Sequence, residues 1–328
     1  MRAIAPGRVN LIGDHTDYTG GMVFPIAINR YTVIDAAFTQ NKSVSLRSLD
    51  QPGDVNFDLP VTNVSTLQPV WGRYIAAVAA ECKATTGIAG TISSDIPIGS
   101  GLSSSAALEI AAALSLGYSG SSLELAKLTQ RAEHLATGVP TGIMDQLCIA
   151  SATENHALLI DCSSLEITHI EVPHDCKIVV QFIAHRTLQG SEYSDRVIQC
   201  NAAEAIIGPL HVATIDMLES IRDLTIFKRA RHVISENNRV RDFAQALVSH
   251  DLQHAGQLMN QSHHSLAHDF ESSTQTMDAA VKALQEIPGV YGARMTGGGF
   301  GGCVVALCSP NAHVPGWEVS AVSGASLS

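Results

Sequence analysis

Aromatic residues are scarce in this 328-residue chain, at 5%, and charged residues reach only 16%, against roughly 25% in ordinary soluble domains. A core here must therefore be filled by alanine and β-branched side chains. Positive charge is also short. Lys plus Arg number 20 against 31 for Asp plus Glu, a net charge of −11, which argues against binding nucleic acid or an acidic membrane, because phosphate contacts need a basic surface. No apolar run is long enough to span a bilayer, which takes about 20 residues. The most apolar stretch, Ala106 to Tyr118, is interrupted by Glu109. The opening MRAIAPGRVN has no apolar segment of the secretory kind. The seven cysteines are odd in number and include no CxxC pair, so reduced thiols in a cytoplasmic protein are expected. With 45% hydrophobic residues the chain is not a disordered one. At about 150 residues per domain its length suggests two domains.

The first half alternates strands with alanine-rich helices. Tyr31 to Phe38 and Val44 to Arg47 alternate β-branched and polar residues, as strands of an antiparallel meander do. Helical periodicity predicts helices over Trp71 to Lys83, Ser105 to Leu116 and Leu123 to Thr137, with strands at Gly90 to Asp95 and Ala157 to Asp161. The polar residues His174 and Asp175 mark a boundary between domains 1–174 and 175–328. Lys177 to Ala184 opens the second with a buried strand. Helices follow near Ser191 to Ala205, Leu210 to Leu218, Arg229 to Leu247, Asp251 to Leu266 and Thr274 to Glu286. Strands Gly289 to Met295 and Cys303 to Cys308 close the pattern, and Ala321 to Ser328 carries no assignment. The class is α+β, two modules with a site between them.

Three segments carry chemistry. In Pro6 to Asp17, Arg8 and Asn10 precede a turn, opened by Gly13, that crowds Asp14, His15 and Asp17. Carboxylates there suit a polyhydroxylated ligand; an Asx-rich turn after a strand is the plainer alternative. In Pro97 to Ala107, glycines and serines lead into a helix, so backbone N–H groups and the helix dipole face an anion such as phosphate. The loop has no Walker lysine, so positive charge must come from Mg²⁺ and an arginine elsewhere. A serine N-cap is the bland reading, and GLSSS is one glycine short of a hydrolase elbow. In Thr296 to Gly302, the GxGxxG match precedes a strand, CVVALC, and not a helix, so it reads as a close-packed turn against a neighbour such as the phosphate loop. Asp145, an acid in an apolar stretch, needs a partner or a job, and Arg8 is the best partner. Glu133 can supply a second arm for Mg²⁺ beside the serines.

Together, GRVNLIGDHTDYTGG at 7–21, PIGSGLSSSAALE at 97–109 and MTGGGFGGC at 295–303 resemble the three motifs of the GHMP small-molecule kinases, the first being similar to that of the galactokinases. Further galactokinase-like stretches are AEHLATGVPTGIMDQ at 132–146, LQGSEYSDRVIQC at 188–200, KRARHVISENNRV at 228–240 and SHHSLAHD at 262–269. The resemblance implies a two-domain GHMP kinase fold, mixed sheet plus helices in each half, a ferredoxin-like second half, and an active site in the cleft. It implies transfer of the γ-phosphoryl group of MgATP to the C1 hydroxyl of galactose, in a monomer. Asp145 would be the base and Arg8 its cationic partner. Asp14, His15, Asp17, Gly142 and Tyr193 would hold the sugar. Trp71 would lie against adenine, and Gly99, Ser100, Gly101, Leu102, Ser103, Ser104 and Ser105 would cradle phosphates. Ser104, Ser105 and Glu133 would hold Mg²⁺. Asp14 stands where the family carries glutamate. Other readings are a kinase for a different monosaccharide, a sugar- and ATP-binding sensor without catalysis, and, last, a serine hydrolase.

Overall fold

The computed structural model describes residues 1–185 and 191–328. The start of the stretch at 188–200 lies outside the described residues. In the first module, strands β1 (Arg2–Asn10), β2 (Met22–Val23), β3 (Pro25–Thr39), β4 (Ser43–Ser48) and β5 (Asp54–Asp58) precede helix α1 (Gly72–Glu81) and strand β6 (Gly87–Ser94). Helices α2 (Ser104–Ser115), α3 (Ser122–Thr137) and α4 (Met144–Ser151) follow, then β7 (His156–Asp161) and β8 (Glu166–Glu171). The second module runs β9 (Lys177–Ala184), α5 (Ser191–Ile207), α6 (Leu224–Val248), α7 (Leu252–His268), α8 (Gln275–Gln285), β10 (Val290–Thr296) and β11 (Gly302–Cys308), and β12 (Trp317–Val319) and β13 (Ser326–Leu327) end the chain. Among the described residues no helix is long and apolar enough to cross a membrane.

The strands form sheets ordered β13-β1-β3-β6-β4-β5, β10-β11-β9-β12 and β2-β7-β8. This corrects the meander expected for Tyr31 to Arg47. β6 inserts between β3 and β4, pairing antiparallel with β3 and parallel with β4. Local alternation reports a strand with one buried face but not its neighbour. The helix expected over Leu210 to Leu218 is also corrected, to a 3₁₀ turn at Ile215–Ser220. Gly208, at φ +83°, stops α5, and between the buried Leu210 and Leu218 the apolar Val212 and Ile215 stay exposed, so no continuous buried stripe supports a longer helix. The unassigned tail is structured. β13 pairs with β1, and Ala321 bridges to Ile28, so the chain's end completes an edge of the first module's sheet.

Scarce aromatics are offset by close backbone packing. On α2, Ala106, Ala107, Ile110, Ala111, Ala112 and Ala113 are all buried, and small side chains let this helix lie tightly on β1 and β3. That packing aims the N-terminus of α2 into the cleft. Across the modules, the rings of Phe24 and Phe243 meet edge-to-face at 5.4 Å. Polar contacts complete the joint. Thr296 Oγ1 donates to the Asn10 carbonyl at 2.8 Å, Gly13 N–H to Glu236 Oε1 at 3.0 Å and Met22 N–H to Asn237 Oδ1 at 2.8 Å. Gly13 sits at φ +96°, and a Cβ there would lie 2.7 Å from the Met22 carbonyl oxygen, so only glycine fits this turn.

Candidate active site

β1, which lies between β13 and β3 in its sheet, carries Arg8 to the cleft. Its side chain is buried and reaches the first turn of α4. Nε and Nη2 both donate to Asp145 Oδ1, at 2.7 and 2.6 Å, and Nη1 donates to the Gly101 carbonyl at 2.5 Å. Two arginine N–H groups on one oxygen leave Oδ2 for another donor. Ser103 Oγ takes it, at 2.5 Å. Ser103 is thus no helix cap. It makes no capping bond and lies in left-handed backbone at φ 63°, a conformation costing roughly 1–2 kcal/mol for a residue with a Cβ, held where its hydroxyl meets Asp145. Burial lowers the pKa of Arg8, but Asp145 and Asp14 more than offset it and the net shift is upward.

A cavity of about 720 Å³ opens from this point. Gly99, Gly101, Ser103, Ser104 and Ser105 line it, as do Trp71, Tyr74, Glu133, Thr141, Asp145 and His185. Ser100 and Leu102 do not. Ser100 is buried, with Oγ on the Pro97 carbonyl at 2.5 Å, and Leu102 buries its side chain while its carbonyl accepts from Arg8 N–H at 3.1 Å. These two shape the loop from behind. A narrower polar recess joins the cavity and shares Glu133, Thr141 and Asp145 with it. Its walls also include Arg8, Asp14, His15, Asp17, Gly142 and Tyr193.

The recess brings together every residue assigned to the sugar. A Cβ on Gly142 would fall 1.8 Å from Asp17 Oδ2, so the missing side chain is what admits that carboxylate. Burial first, and the charge of Asp145 second, push the pKa of Asp17 up to about 7. The His15 ring lies 5.6 Å from that of Tyr193, and its Nδ1 is 3.0 Å from the Tyr18 hydroxyl. Asp14 is engaged from the second module: Gly297 N–H donates to Oδ1 at 2.9 Å, and Arg294 Nη2 lies 2.6 Å from Oδ2. Burial raises the pKa of Asp14, against the pull of Arg294. The glycine turn at 297–302 thus packs on the Asp14 turn, and through Gly299 on Ser272.

Glu133, from α3, is buried beside the serine loop. Ser105 Oγ donates to Oε1, and Thr141 Oγ1 and Gln146 Nε2 donate to Oε2, each at 2.9 Å. Burial, then Asp145, raises its pKa. The hydroxyls of Ser104 and Ser105 and this carboxylate are hard oxygen donors bordering the cavity, a set that suits Mg²⁺, which takes one or two carboxylates and completes its shell with phosphate and water. Tyr74, Gln146 and Arg294 escaped the sequence reading. Gln146 follows Asp145 directly, which is a usable signal. Arg294 is one arginine in a buried strand and gives none.

Comparisons with known proteins agree with this geometry. The galactokinase galactose-binding signature matches residues 1–37, the GHMP kinases N terminal domain residues 71–153 and the GHMP kinases C terminal domain residues 243–315. The chain is 41% identical to a galactokinase of Canis lupus familiaris, across 92% of this chain and 82% of that protein. It is 40% identical to a galactokinase of Chloroflexus aurantiacus, across 98% and 87%. The crystal structure of Lactococcus lactis galactokinase complexed with galactose superposes with a TM-score of 0.93 at 32% identity, covering 99% of this chain and 94% of that one. Family models, relatives and fold agree, and this chain belongs to the galactokinase family of the GHMP kinases.

Proposed function

We infer that this enzyme uses ATP to phosphorylate galactose at its C1 hydroxyl, and that Asp145 is the base. The observation that carries the reading is the convergence of Arg8, Asp145 and Ser103 where the recess meets the larger cavity. The sugar would sit in the recess against Asp14, His15, Asp17, Gly142 and Tyr193, with its C1 hydroxyl toward Asp145. The nucleotide would lie in the larger cavity, its base near Trp71 and its phosphates at Gly99 to Ser105. The C1 oxygen forms its bond to the γ-phosphorus as the bond to the β–γ bridging oxygen breaks. The hydroxyl proton passes to Asp145 and then to solvent, and ADP leaves. Arg8 orients the carboxylate through Nε and Nη2 and adds positive charge next to the moving group. Positioning and electrostatics are the main demands of phosphoryl transfer. Mg²⁺, held by Ser104, Ser105 and Glu133, would supply the charge that the lysine-free loop lacks.

ADP release with MgATP across a panel of monosaccharides tests the reading. Release is expected with galactose, and silence across the whole panel overturns it in favour of a sensor.

Asp17 makes the sugar site sensitive to pH. Its carboxyl holds a proton below about 7, and the carboxylate accepts stronger hydrogen bonds from sugar hydroxyls than the neutral acid does. Galactose affinity, measured by calorimetry, is expected to rise between pH 6 and pH 8, and Asp17→Asn to flatten that rise. The stability effect has the opposite sign. The folded pKa lies above the unfolded value of 3.8, so the ligand-free protein loses stability through this group as pH rises through 7. Asp17→Asn should therefore raise Tm more at pH 8 than at pH 6, and parallel curves would refute the assignment.

A further inference from the structure

Glu109 lies in the middle of α2 with no exposure to solvent, and no step above uses it. It sits one turn beyond Ser105, so the two share a face, and that face meets α3 and α4. The side chain of Gln146, also fully buried, spans the gap. Its amide nitrogen donates to Glu133 Oε2 at 2.9 Å and to Glu109 Oε2 at 3.4 Å. Among the described residues Glu109 Oε1 and Gln146 Oε1 have no hydrogen-bond partner.

We propose that Glu109 and Gln146 are positioning residues that fix the Glu133 carboxylate in the orientation that receives the metal ion. This rests on the reading of Glu133 as an Mg²⁺ ligand. An amide nitrogen has two N–H groups. With one anchored on Glu109, the other is held on Glu133 Oε2, and the remaining carboxylate oxygen turns toward Ser105 and the cavity. A purely structural role fits poorly. A buried, half-satisfied polar group is commonly worth less to stability than an apolar side chain of the same volume, and α2 is otherwise packed with alanine and isoleucine. Burial, reinforced by the nearby Glu133, raises the pKa of Glu109 well above that of an ordinary carboxyl, in keeping with a neutral anchor.

The experiment separates positioning from packing. Mn²⁺ binding in the presence of ADP is read by the loss of the free-ion electron paramagnetic signal, alongside Tm and the KM for galactose. Glu109→Met is expected to weaken Mn²⁺ binding about 10–100-fold, the range for groups that orient metal ligands, while Tm holds or rises and the galactose KM stays within twofold. Glu109→Gln, whose amide oxygen still accepts from Gln146, is expected to restore binding to within about threefold. Unchanged Mn²⁺ affinity in Glu109→Met, with Glu133→Gln defective, overturns this proposal and leaves the Glu133 reading standing. Unchanged affinity in Glu133→Gln overturns both.

Discussion

Asp145→Asn is expected to lower kcat by about 10²–10⁴-fold, the usual worth of a positioned base, with galactose affinity within a few-fold of the parent. The substitution keeps the shape of the side chain. Its amide oxygen can still accept from Arg8, whose Nε and Nη2 converge on Oδ1. Its amide nitrogen then faces Ser103 Oγ, which accepts once the hydroxyl rotates away. The proton acceptor is lost together with its negative charge. Arg8 loses its counter-charge in a buried position, so circular dichroism and Tm must accompany the kinetics to show that the assayed protein is folded. Turnover within tenfold of the parent would remove Asp145 from the mechanism.

Arg294→Met is expected to cost about 3–5 kcal/mol of stability, the range for breaking a buried ion pair from one side. Arg294 is the largest wholly buried side chain of the protein among the described residues. It faces Asp14 Oδ2 at 2.6 Å and Glu236 Oε1 at 3.9 Å, and its Nη1 donates to the Asn10 carbonyl at 3.4 Å. Glu236 keeps a pKa of about 2, because Arg239, His232 and Arg294 outweigh the upward push of burial. Removing the guanidinium deprives the buried Asp14 carboxylate of its strongest counter-charge and loosens the turn that forms the recess. Urea unfolding measures the loss, and the galactose KM should rise with it. The exposed pair Arg2–Asp35 serves as the comparison, since surface ion pairs contribute little. A loss below about 1 kcal/mol in Arg294→Met would show that the joint does not depend on this charge.

Much of the site was legible as contiguous motif. The turn at Gly13 to Asp17, the glycine-serine loop and the alanine-rich helix behind it are local patterns, and the structure places them as read, with α2 beginning at Ser104. The strand at Lys177 to Ala184 also has its expected bounds. The loop's division of labour was not legible. Nothing in GSGLSSS distinguishes Ser100 and Leu102, which turn inward, from Ser103, which turns out to Asp145. That choice depends on backbone dihedrals set by the packing of β1 on the loop.

By itself, the sequence determined most of the long elements, the acid- and glycine-rich motifs and their order, because helical and strand periodicity and turn chemistry act within a few residues. Tertiary structure alone decided that β6 lies between β3 and β4, that the chain's end joins β1, and that Asp14 is clasped by the second module. It also brought Arg8 to Asp145 across 137 residues. Such pairings depend on sheet order and on helices packing over a shared core, and no local window contains both partners.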